Sequence, residues 1–142
     1  MEKEYKLAEQ YHLQGNNCIE SVLKTCNDTM NLQLPDVAIR MASGMGGGIG
    51  RSGCVCGALS GACLVIGALV GRLTPDEKPL PEVYKYTSEF HDRFKEHFGA
   101  TCCRALNTLS FGTPEYRKHC IKITATAADM VSDFVTEKGL LK

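Results

Sequence analysis

Apolar residues recur along this chain at helical rather than strand spacing, and the pattern predicts six helical segments. Residues Glu2 to Leu13 form a short amphipathic helix that Gly15 stops. Asn17 stands as the N-cap of a second helix, with Cys18/Ile19, Val22/Leu23 and Cys26 along its apolar stripe. Pro35-Asp36 opens a short third helix carrying Val37, Ile39 and Met41, which ends at Gly44. A fourth runs from about Val55 to Val70 and is apolar all round, as the central helix of a bundle is. Val83, Thr87, Phe90, Phe94 and Phe98 line one face of a fifth, ended by Gly99. Thr113-Pro114-Glu115 opens the last, which runs to about Lys138 before Gly139. Residues Gly44 to Gly53 read as a glycine-rich loop, and Cys102 to Leu106 as a short turn of helix. No stretch alternates with period two, so no strand is expected. The pattern predicts an all-α helical bundle, one domain over residues 1–142, with a buried Gly- and Cys-rich central helix.

Charge sharpens this picture. Residues 1–71 hold 5 basic and 6 acidic side chains, residues 72–142 hold 11 and 10, and the formal net charge is zero. A nucleic-acid binder needs a basic field to meet phosphates, and a polybasic membrane-surface protein needs the same, so neither partner is expected. Between Met41 and Gly71 the only charge is Arg51, and 10 of the 14 glycines lie between Gly44 and Gly71. The 20 uncharged residues from Ser52 to Gly71 approach a membrane-spanning length, and Gly57-x-x-x-Gly61 would suit a tight transmembrane contact. The apolar part is nevertheless short, rich in Gly and Cys, and without an aromatic belt, so a buried helix of a soluble bundle is the better reading. The opening Met1-Glu2-Lys3-Glu4-Tyr5-Lys6 carries both signs of charge and no apolar run follows it, unlike a signal peptide. A cytoplasmic location follows as the expectation, and there thiols are mostly kept reduced.

Sulfur is the chemical outlier, with eight cysteines in one domain. In a reducing compartment they mean metal binding, redox catalysis or small buried hydrophobes. Cys56 stands where the glycine-rich loop meets a helix, so unpaired N–H groups and the positive end of the dipole favour its thiolate. Cys18 repeats the device after Asn17. Cys120 shares an inward stripe with Tyr116, Ile123, Ala127, Val131 and Phe134. Cys102 and Cys103 are adjacent and are expected to face opposite ways, with one toward the core. Cys54-x-Cys56 could chelate or form a strained disulfide, whereas Cys26 and Cys63 suit packing. No paired C-x-x-C knuckles, no thioredoxin-like C-x-x-C and no H-x-x-x-H occur. Gly46-Gly47-Gly48-Ile49-Gly50 lacks the Gly-Lys-Ser/Thr ending of a phosphate loop.

Cys56-Gly57-Ala58-Leu59-Ser60-Gly61 resembles the C-G-A-x-x-G signature of the C_GCAxxG_C_C family of redox-active proteins. That family has four signature cysteines, and the resemblance covers nearly the whole chain. Asn17-Cys18 matches the first, Cys56 the second, Cys103 in Cys103-Arg104-Ala105-Leu106 the third, and Cys120 the last. Cys26, Cys54, Cys63 and Cys102 lie outside the pattern. The resemblance implies a redox function resting on Cys18, Cys56, Cys103 and Cys120.

Spaced C-x37-C-x46-C-x16-C, these four meet only if tertiary folding brings them together. Four soft thiolates suit an iron–sulfur cluster or zinc, and the iron–sulfur cluster is preferred because so apolar a core needs no structural zinc. A thiol–disulfide oxidoreductase with Cys56 as nucleophile, and a non-catalytic domain with buried thiols, are the alternatives. The redox partner is not named by the sequence, and the glycine-faced helix would suit a homo-oligomer contact.

Overall fold

A computed structural model describes residues 2–141. The order is α1 (Glu2–Leu13), α2 (Cys18–Met30), α3 (Asp36–Ala42), a 3-10 turn (Ser43–Met45), α4 (Gly46–Ile49), α5 (Gly57–Val70), α6 (Leu80–Phe98), α7 (Cys103–Leu106) and α8 (Pro114–Glu137). The described residues hold no strand, and the fold is all-α. Six helices are of ordinary length, while α4 and α7 are single turns.

Local chemistry explains where the longer helices begin. The Glu20 amide donates to Asn17 Oδ1 at 3.0 Å while Glu20 Oε1 accepts from the Asn17 amide at 3.0 Å, a reciprocal cap. Asn17 Nδ2 also donates to the Ser43 carbonyl at 2.9 Å, fastening the start of α2 to the turn before the glycine-rich segment. Thr113 Oγ1 accepts from the Tyr116 amide, and Pro114 occupies the first turn of α8, where a missing N–H costs nothing.

The core forms where α2, α5, α6 and α8 meet. Ile19, Val22, Ile66, Phe90, Phe94, Val131 and Phe134 are all but inaccessible to solvent there. Phe90 meets Phe134 edge to face at 5.5 Å between centroids, joining α6 to α8. Helix α5 lies against α2 through Gly61, where an added Cβ would sit 3.2 Å from Ile19 and 3.3 Å from Val22. A second small cluster, Ala8 with Ala125 and Ala128, lets α1 lie close along α8. Among the described residues no helix is long and apolar enough to cross a membrane.

The structure corrects the expected element boundaries at two places. Residues Gly44 to Gly53 do not form a plain loop: they wind through two short turns, with Gly47 and Gly48 left-handed at φ 67° and 70°. Helix α5 begins at Gly57 rather than Val55. The preceding backbone is already committed sideways, since Cys54 is bonded to Cys102 and the Cys56 amide donates to the Thr101 carbonyl at 2.8 Å.

Candidate functional site

Four elements deliver the four cysteines to one place. Cys18 is the first residue of α2, Cys56 immediately precedes α5, Cys103 opens α7, and Cys120 lies in the second turn of α8. Cys18 and Cys56 are only 5% and 6% exposed, Cys103 and Cys120 are half-buried, and all four thiols are free. Gly57 allows the approach, because a Cβ there would stand 2.3 Å from Cys18 Sγ. Cys56, Cys103 and Cys120 share the wall of a tight cavity of about 10 Å3 with Leu106, Asn107 and Thr124.

A disulfide outside this set positions two of its members. Cys54 and Cys102 are joined across 48 residues. On either side of the bond, the Cys56 amide reaches Thr101 and the Arg104 amide reaches the Gly53 carbonyl at 3.1 Å. Cys56 and Cys103 are therefore held as neighbours whatever their own sulfurs do. The C-x-C motif accordingly works outward, with Cys54 bonded to Cys102 instead of Cys56. Cys102 and Cys103 have separate partners.

Electrostatics divide the four thiols. The Cys120 thiol donates to Cys18, and the amides of Gly47, Ile19 and Cys18 itself point at the same sulfur. These bonds outweigh burial and lower the Cys18 pKa below the ordinary thiol value. Cys120 is pushed up, first because its proton is shared with Cys18 and then by burial. Cys56 goes the other way from the sequence expectation. Burial, followed by the charge on Cys18, pushes its pKa up to about 12 despite the amides of Ala58 and Leu59 at the start of α5. The thiolate favoured at a helix start is thus Cys18, where a second thiol supplies the bond that Cys56 lacks.

Two further side chains close the site. Cys103 Sγ lies 3.3 Å from the Tyr116 hydroxyl, whose pKa is raised by burial and by that contact. Asn107, buried beside them, donates Nδ2 to the Tyr116 carbonyl at 2.9 Å. His12 Nε2 stands 3.7 Å from Cys120 Sγ, and burial lowers the His12 pKa. No motif in the sequence marks Tyr116 or His12 as a site residue. His12 lies 108 residues from Cys120, and no local pattern connects them.

Cys26 and Cys63 stand apart. Cys26 is sealed in the core, and burial raises its pKa to about 12. Cys63 faces an apolar groove with Leu23, Leu34 and Leu64, and burial raises its pKa to about 11.

Alkylation of the reduced, cofactor-free protein should resolve this order. Iodoacetamide labelling of Cys18, followed by mass spectrometry, is expected to rise with a midpoint below the ordinary thiol value. Cys63 should begin to label only toward pH 11. A Cys18 midpoint at the ordinary thiol value of about 8.5 would contradict the assignment.

Beside the four sulfurs, the Tyr116 hydroxyl and His12 Nε2 are the potential donors nearest at hand. Among the described residues, no three Cys, His, Asp or Glu side chains are disposed to hold one metal ion. A single zinc ion, which asks four ligands of its site, is not matched by this arrangement. An iron–sulfur cluster makes a different demand, since it spreads its four thiolates over several irons and each iron takes only one or two.

A family profile described as "Putative redox-active protein (C_GCAxxG_C_C)" matches residues 16–134. The chain belongs to this family. The match spans all four clustered cysteines and the disulfide pair. An uncharacterized protein of Archaeoglobus fulgidus is 30% identical over 122 residues, covering 80% of this chain and 81% of that protein. No solved structure matches the chain.

Proposed function

We propose that this C_GCAxxG_C_C protein is an electron-transfer protein whose Cys18, Cys56, Cys103 and Cys120 hold an iron–sulfur cluster. The observation that carries the reading is the convergence of four free thiols, from four separate elements, into one electrostatically connected group. When bound, such a cluster supplies one-electron chemistry at a potential set by its surroundings. The chain's own contribution is to orient and shield. Backbone amides of Gly47 and Ile19 point at the Cys18 sulfur, and the Tyr116 hydroxyl lies against that of Cys103. Hydrogen bonds of this kind stabilise thiolate sulfur and tune a cluster's potential. The deep burial of Cys18 and Cys56 also counts against exchange with a bulky protein disulfide.

The Cys18–Cys120 contact favours one second reading, a dithiol–disulfide couple. There the Cys18 thiolate, rather than Cys56, would be the reacting sulfur. Closing that bond releases two electrons to an acceptor, together with the protons the pair still carries.

Stepwise oxidation of anaerobically purified protein separates the two, with visible absorbance followed beside an acid-quenched thiol count. The cluster reading expects absorbance to change reversibly while the thiol count stays constant. Loss of two thiols from a colourless protein would establish the couple instead.

A further inference from the structure

The openings around the thiol centre are charged in one sense only. Three cavities, of about 800, 390 and 390 Å3, share Arg51, Phe111 and Tyr116 in their walls. Cys18 and Cys120 lie in the wall of one of the smaller two, and Cys103 in that of the other. Arg104, Arg117 and Lys118 join Arg51 around the three, and no Asp or Glu lines any of them. The chain as a whole carries 16 acidic and 16 basic residues, so the one-sided lining does not follow from composition.

Arg51 is the best placed of the four. It holds a left-handed backbone at φ 70°, a conformation that non-glycine residues seldom adopt. Its guanidinium lies over the Phe111 ring at 4.2 Å from the centroid and, among the described residues, forms no ion pair. A second observation comes from the cavity wall. His12 is 8% exposed and lines two of the cavities, and its Nδ1 approaches only its own backbone without making a proper hydrogen bond. Its Nε2 stands 3.7 Å from Cys120 Sγ, so this wall is continuous with the thiol centre.

We propose that this face binds a small organic anion, its charge on Arg51 and its apolar body against Phe111, beside the wall that contains Cys18 and Cys120. A volume of several hundred Å3 with apolar walls and a few polar groups is the usual form of a small-molecule site. That the anion is the reaction partner of the thiol centre rests on the redox reading above, whereas its binding does not.

The test is equilibrium binding of 2-naphthalenesulfonate, with neutral 2-naphthol as the comparison, followed by calorimetry on the full-length protein. The sulfonate should bind about tenfold more tightly than the naphthol, the value of one charge-assisted contact. Arg51→Gln should remove most of that difference, Arg51→Lys should keep part of it, and Phe111→Ala should weaken both ligands. Leu64→Gln, in the separate apolar groove, should change neither. Circular dichroism of each variant distinguishes lost binding from lost fold. No binding, equal affinity for the two compounds, or a preference that Arg51→Gln leaves intact would overturn the proposal. Iron-free protein that still prefers the sulfonate through Arg51 would sustain the anion site while counting against the cluster.

Discussion

Replacing any one of Cys18, Cys56, Cys103 or Cys120 by serine should cost the anaerobically purified protein most of its iron and sulfide. The same change at Cys26 or Cys63 should leave both in place. The contrast follows from position. The first four thiols lie in one electrostatically connected group, with Cys56 feeling the charges of Cys18 and Cys103, and Cys120 those of Cys18 and Cys56. Cys26 is walled into the core, and Cys63 faces another groove. A hydroxyl is a poor replacement for a soft thiolate, and four ligands leave none to spare. The strongest loss is expected at Cys18, the sulfur that receives three backbone amides and the Cys120 thiol. Metal and sulfide assays on the six variants, with circular dichroism as a control for folding, check the pattern. Equal retention in all six would contradict it.

Gly48→Ala should be among the most destabilising substitutions in the chain, although it adds a single methyl group. Gly48 has φ 70°, and an added Cβ would stand 2.3 Å from the Cys54 amide nitrogen and 2.6 Å from the Gly53 carbonyl carbon. Those are backbone atoms, so no side chain can rotate away. The left-handed conformation itself costs alanine about 1–2 kcal/mol, and with the overlap the total should reach about 3 kcal/mol or more. Gly44 is the internal control. It lies in the same glycine-rich segment, has no positive φ, and an added Cβ would meet nothing within 4 Å. Urea denaturation should therefore shift strongly to lower denaturant for Gly48→Ala and little for Gly44→Ala. Coincident midpoints for the two variants would show that the segment is not packed as described.

The helices were legible because each is marked by chemistry within a few residues of its ends. Asn17 with Glu20, Thr113 with Pro114, and the Phe90/Phe94 stripe act locally, and the structure uses them where the sequence places them. Glycine carries no such mark. A run of Gly44 to Gly53 reads as a loop from its composition alone, yet its turns are fixed by contacts with Asn17, Cys54 and Arg104. The Cys54–Cys102 bond was illegible for a related reason: it joins two extra cysteines 48 residues apart, and only the fold brings them within reach.

The thiolate assignment shows the same limit more sharply. Both Cys18 and Cys56 stand at helix starts, so local reasoning gives them equal claims to a lowered pKa. What separates them is tertiary. Cys18 receives the Cys120 thiol and the Gly47 amide, while the Cys56 sulfur is buried beside the charge that Cys18 carries. His12 belongs to the same class of facts, reaching Cys120 from a helix 108 residues away.

The most direct test of the four-thiol centre is the content of iron and acid-labile sulfide per chain in protein purified without air. An iron–sulfur centre on Cys18, Cys56, Cys103 and Cys120 predicts iron and sulfide in matching amounts, with visible absorbance that bleaches on reduction. A colourless protein with neither element, and with all four thiols open to alkylation after denaturation, would contradict it.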